Sequence, residues 1–78
     1  MSIFPNPVAS EAILTIDSEV DIKNLTLTVF SANGQLLSSK VVSFQKNVPL
    51  DFTGYPTGIY YVKAQSIEYQ GVLKIVKE

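Results

Sequence analysis

The chain has 78 residues and a mass of 8.6 kDa, which leaves room for one small domain over residues 1–78. It contains no Cys, His, Trp or Arg, and its six Lys against seven acidic residues leave a net charge of −1 and a pI near 5.2. These absences exclude a disulfide framework, a thiolate or imidazole metal site, Cys or His catalysis and an arginine clamp for phosphate, and the charge balance provides no basic face for nucleic acid.

In chain order, Met1-Ser2-Ile3-Phe4-Pro5 has neither a basic leader nor an apolar run, so no signal peptide is expected here. The first turn signal is Pro5-Asn6-Pro7. Ala12, Leu14 and Ile16 then alternate with Ile13, Thr15 and Asp17, the period of a half-buried strand. Leu25, Leu27 and Val29 alternate with Thr26, Thr28 and Phe30 in the same way. Ala32-Asn33-Gly34-Gln35 predicts a hairpin, with Asn33-Gly34 suited to the positive φ of a two-residue turn. After Gln45-Lys46-Asn47, the run around Val48 to Phe52 contains Pro49, which cannot donate to a ladder and so places that strand at an edge. Gly54-Tyr55-Pro56-Thr57-Gly58 leads into a third alternation, Tyr60, Val62 and Ala64 against Ile59, Tyr61 and Lys63. Gly71 is a last turn signal before the closing apolar run. The pattern predicts an all-β antiparallel sandwich of six or seven short strands with no helix. No run approaches the roughly 18 apolar residues of a membrane span. A 46% hydrophobic content is high for so small a domain, so some apolar surface is expected to stay exposed to a partner.

Individual residues carry limited chemistry. Tyr60, following a Pro-x-Gly turn, fits a tyrosine corner, with Gly58 supplying a φ that β-branched residues resist. Asp17, Glu19 and Asp21 share a side of an extended chain and offer oxygen to a hard cation, but the spacing lacks the density and central Gly of a calcium loop, and a solvated strand end explains them better. Ser39 beside Lys40 formally resembles a nucleophile and base, yet neighbours on a strand point to opposite faces. Catalysis is therefore not expected, and neither cofactor nor small-molecule substrate is implied. Asn24-Leu25-Thr26 matches a glycosylation sequon that arises often by chance. Phe44, Tyr55, Tyr61 and Tyr69 are the aromatics expected outside the core; clustered, they would mark a docking or self-association patch, and a weak homodimer is compatible with that. Lys74 and Lys77 straddle Ile75-Val76, as charges guarding an edge strand do.

Taken in order, Ile3-Phe4-Pro5-Asn6-Pro7, Asn33-Gly34-Gln35, Tyr55-Pro56-Thr57-Gly58-Ile59-Tyr60 and the closing Lys74-x-x-Lys77 resemble the type A C-terminal sorting domain of the type IX (Por) secretion system of Bacteroidetes. The resemblance covers essentially the whole chain. It implies an immunoglobulin-like sandwich of about seven strands at the end of a larger secreted protein, acting as an address rather than an enzyme. The cargo would cross the inner membrane behind a signal peptide of its own and pass the outer membrane through the type IX machinery. A sortase-like cysteine peptidase would then remove the domain and join the cargo to a lipopolysaccharide anchor at the cell surface, or release it.

By this resemblance Pro5, Asn6 and Pro7 correspond to the entry motif, Gly34 and Gln35 (with Asn33) to the hairpin motif, Pro56, Gly58 and Tyr60 to the Pro-x-Gly-x-Tyr motif, and Lys74 and Lys77 to the terminal basic motif. Phe4 stands where Tyr is commoner, Tyr55 where Leu is usual, and Leu73 where a first Lys is frequent. Since most of these are turn and corner residues, recognition is expected on the terminal strand, Lys74, Ile75, Val76, Lys77 and Glu78. Its free edge would accept strand addition, with both Lys and the terminal carboxylate as polar handles. Two other readings compete: an immunoglobulin-like or fibronectin-like adhesion or spacer module, and a carbohydrate-binding module stacking sugars on Tyr55, Tyr61 or Tyr69.

Overall fold

The structure, a computed structural model, describes residues 1–17 and 22–78. Seven strands form two sheets: β1 (Ser2–Phe4), β2 (Glu11–Thr15), β3 (Asn24–Ser31), β4 (Leu36–Ser43), β5 (Asn47–Asp51), β6 (Gly58–Gln65) and β7 (Gln70–Lys77). One sheet has the order β1-β2-β5 and the other β4-β3-β6-β7, with every neighbouring pair antiparallel. No helix occurs among the described residues. Glu19 and Asp21, two of the three carboxylates considered for a cation, lie outside those residues.

Alternation in the chain becomes two-sidedness in the sheets. Ala12 and Leu14 of β2, Leu25, Leu27 and Val29 of β3, Val48 and Leu50 of β5, and Tyr60, Val62 and Ala64 of β6 all face the space between the sheets. Each buried Leu, Val or Ile there contributes roughly 1.5–3 kcal/mol relative to exposure. Pro49 lies on an edge strand as expected. The bonds Ile16 N–Lys46 O and Phe52 N–Ser10 O set the parity of β5, so Val48 and Leu50 face β2 while Pro49 turns its missing donor to solvent.

Three turns work differently from the sequence expectation. At the β3–β4 hairpin no residue other than glycine has positive φ, so Asn33 does not take the left-handed conformation a two-residue turn requires. Instead Gly34 N donates to Ser31 O at 3.0 Å, Gly34 alone takes φ 88°, and a bulge shifts the register beyond Val29. Asn33 contributes through its side chain, whose Oδ1 accepts from the Ser31 hydroxyl and the Gln35 N–H. Before β6, the left-handed residue is Gly54, at φ 88°, whereas Gly58 at 159° lies near extended backbone. Gly71 is not in a turn at all: it pairs with Ala64 inside the β6–β7 ladder. A Cβ there would come within 3.0 Å of Met1 Cε and 3.2 Å of the Tyr69 hydroxyl, so a small residue is needed for close approach. The β6–β7 reversal is made by Ser66, whose Oγ accepts from Glu68 N at 3.2 Å and whose N–H donates to Tyr69 O.

Candidate functional site

The terminal strand β7 pairs with β6 along its whole length and forms one edge of the four-stranded sheet. Its other edge is only partly open. Val8 N donates to Val76 O at 2.8 Å, and Glu78 N donates to Val8 O at 2.9 Å, forming a parallel bridge to Lys77. One step further out, Asn6 Oδ1 accepts from Val76 N at 3.0 Å, and Asn6 Nδ2 donates to Lys74 O at 3.2 Å. Segment 6–8 is thus a clasp along the last five residues. The two prolines flanking Asn6, both following cis peptide bonds, hold it between β1 and Val8.

This arrangement corrects the expectation of a free edge at the chain end. The outward backbone groups of Val76, the Lys74 carbonyl and the Glu78 N–H already have partners, because the entry segment supplies them. Strand addition has unoccupied backbone only toward the start of β7, around Gln70 to Lys74.

The five candidate residues divide by face. Side chains three apart on a strand point oppositely, so Lys74 is exposed while Lys77 turns to the sandwich interior and is only 8% exposed. Its ammonium donates to the Glu78 main-chain oxygen at 2.8 Å. Ile75 is completely buried. Lys74, Val76 and Glu78 therefore meet solvent, and Ile75 and Lys77 fasten the strand.

Lys74 and Val76 belong to a larger apolar surface on the outer face of this sheet. Val76 pairs with Ile59, and a row of cross-strand neighbours runs Lys74, Tyr61, Phe30, Leu36 across all four strands. Such pairs share a face. Val76, Ile59, Val72 and Leu36 are exposed and Tyr61 and Phe30 half-buried, which accounts for the apolar excess noted from composition. The sequence pointed to Tyr61 here, but not to Ile59 or Phe30; their signal was the apolar content of the outward half of each alternation.

The remaining motif residues are structural. Tyr60 is buried and its hydroxyl donates to Pro56 O at 2.6 Å, forming the expected corner. Tyr55 stacks on Tyr60 with ring centroids 5.3 Å apart and meets Phe52 edge-on at 5.7 Å. The anticipated cluster of outlying aromatics does not form. Phe44, Tyr55 and Tyr69 pack against the core, Tyr61 stands on the outer face, and the most exposed aromatic is Phe4, at 78%. Tyr55, engaged with Phe52 and Tyr60, does not join Tyr61 in a sugar-stacking platform. Ser39 and Lys40 lie on opposite faces of β4, paired with Thr28 and with the core residue Leu27 respectively. No group of three metal-binding side chains occurs among the described residues.

The model of the secretion system C-terminal sorting domain family matches residues 2–78. Among curated proteins and among solved structures, none matches the chain. A match from the first strand to the last, on a fold whose opening segment clasps its closing strand, establishes that the chain belongs to the secretion system C-terminal sorting domain family, the address of type IX secretion.

Proposed function

We propose that this domain directs an N-terminally linked cargo through the type IX outer-membrane machinery by presenting the outer face of β7 as its recognition surface. The observation that carries the reading is the family match over residues 2–78, which makes the domain a sorting signal and implies export toward the outer membrane or cell surface. In our reading the machinery contacts Lys74, Val76 and Glu78 with the adjoining Ile59 and Tyr61. The clasped edge keeps this strand in one register until it is engaged. Removal of the domain by a sortase-like cysteine peptidase and attachment of the cargo to a lipopolysaccharide anchor complete the proposed sequence. No step asks the domain itself for catalysis, in keeping with a family of sorting signals.

The test is a fluorescent reporter carrying an inner-membrane signal peptide and this domain at its C-terminus, expressed in a host competent for type IX secretion and in a translocon-deficient strain. Signal at the surface or in the medium that disappears in the deficient strain supports the proposal. Reporter held in the periplasm of both strains, with the domain intact, overturns it in favour of a spacer or adhesion module. A reporter with Lys74→Ser and Val76→Ser then tests the recognition surface: export unchanged by the pair would remove those residues from it.

A further inference from the structure

The two sheets have four edges, and three are protected. β1 is only three residues long, β5 carries Pro49 with its donor-free nitrogen outward, and β7 is clasped by Asn6 and Val8 over its last residues. Natural sheets use such devices to prevent pairing with another chain. β4 is different: it is eight residues long, has no proline, and all its residues but Val42 are exposed. Phe44 N donates to Lys23 O, so Val42, Lys40 and Ser38 also face β3, and the N–H and C=O groups of Ser39, Val41 and Ser43 point out of the sheet with no strand beside them.

We propose that β4 is a homodimerisation edge, pairing antiparallel with β4 of a second copy about a two-fold axis at Val41. The side chains favour this occupant and this register. On the outer face Ser39, Val41 and Ser43 read the same in both directions, so Val41 meets the partner's Val41 and Ser39 meets the partner's Ser43. On the inner face the one charge of the strand, Lys40, falls opposite the partner's Val42. A register centred on Lys40 would place like charges directly opposite, which is destabilising. A register centred on Ser39 would draw in the residues at the bulge between β4 and the end of β3, where the regular ladder is interrupted. Lys40 keeps room on the inner side, where it lines a cleft with Leu50, Asp51 and Tyr55, and Asp51 offers it a counter-charge. Val41, 69% exposed in the single copy, is covered on pairing. The dimer joins two four-stranded sheets edge to edge with each β7 at the far edge, so both terminal strands stay accessible.

The test is sedimentation equilibrium of the 78-residue chain over a concentration series, repeated with Val41→Lys. The expected result is a species of twice the 8.6 kDa chain mass that is lost in the variant while its thermal melting curve is retained. Because the chain has no cysteine, Val41→Cys and Ser39→Cys provide a second reading. Val41 lies on the proposed axis and its variant should cross-link on oxidation. The two copies of residue 39 lie roughly 13 Å apart in this register, beyond the ~7 Å reach of a disulfide, and that variant should not. A chain that stays monomeric throughout, or a dimer that survives Val41→Lys, or equal cross-linking of the two cysteine variants, overturns the proposal.

Discussion

Asn6 hydrogen-bonds to Val76 seventy residues further along the chain, accepting its N–H at 3.0 Å while donating to the carbonyl of Lys74 at 3.2 Å. One side-chain amide thus imitates a peptide unit of an added strand, with an acceptor and a donor at the spacing β7 presents. Val8 continues the same pairing with true backbone bonds. The entry motif and the terminal motif are therefore one structural unit, and changes in either affect the edge of the last strand.

Asn6→Ala should release this edge locally. Two hydrogen bonds on an exposed edge are lost, each with a net value of about 0.5–1.5 kcal/mol in general, and the lower end applies here. Hydrogen exchange of the Val76 amide should accelerate markedly, while amides of Leu25 and Leu27 in β3 keep their protection. Asn6→Asp retains the acceptor for Val76 and should fall between the two. Unchanged exchange at Val76 in Asn6→Ala would show that the clasp does not hold the strand.

Tyr60→Phe isolates the corner hydrogen bond from the packing of the ring. The hydroxyl bond to Pro56 O is lost while the stack with Tyr55 is kept, so a destabilisation of about 1 kcal/mol is expected. Tyr60→Ala also opens a cavity beside Phe52 and should cost about 3–5 kcal/mol. Urea denaturation of the three proteins measures both differences.

The terminal strand allows folding and recognition to be separated. Deleting the last five residues cannot do this, since it removes the wholly buried Ile75 and the partners of Asn6 and Val8. The earlier expectation that such a truncation leaves most of the sandwich folded is therefore replaced by marked destabilisation. Ile75→Ala alone should cost about 2–5 kcal/mol. Lys74→Ser and Val76→Ser, at exposed positions, should each change the unfolding free energy by no more than about 0.5 kcal/mol, while impairing export of a reporter.

Asp51 gives the domain an acid-sensitive component. Its carboxylate is held below the ordinary value of 3.8, first by the Thr53 side chain and next by the Thr53 backbone N–H at 2.9 Å, against a slight opposing effect of desolvation. A depressed folded pKa favours the ionised form in the folded state. The corresponding stability is present above 3.8 and is lost as the pH falls from there through the folded value. Asp51→Asn should therefore flatten the acid limb in that window, seen as urea midpoints of the two proteins that converge on acidification. Parallel pH profiles would show that the Thr53 contacts do not select the ionised form.

Much of the fold was legible in the chain because its signals are local. Alternation at Leu25, Leu27 and Val29 and at Tyr60, Val62 and Ala64 selects extended backbone and names the buried face, and Pro49 names an edge, since each depends only on neighbouring residues and on hydrogen-bonding capacity. The order of the motifs likewise pointed to the family before any contact was known. The misread turns were decided by three-dimensional surroundings: Gly71 is small because Met1 and Tyr69 close on it from elsewhere in the chain, and Asn33 works through its side chain while Gly34 alone takes positive φ. The candidate surface shows the same division. Sequence alone determined that Lys74, Ile75, Val76, Lys77 and Glu78 form an alternating strand with a charge on each side of an apolar pair. Only the tertiary structure decided which of them meet solvent and that their outer edge is occupied. That edge is closed by residues at the opposite end of the chain, and a contact across seventy residues leaves no periodicity in the sequence, because it depends on which strands the two sheets place side by side.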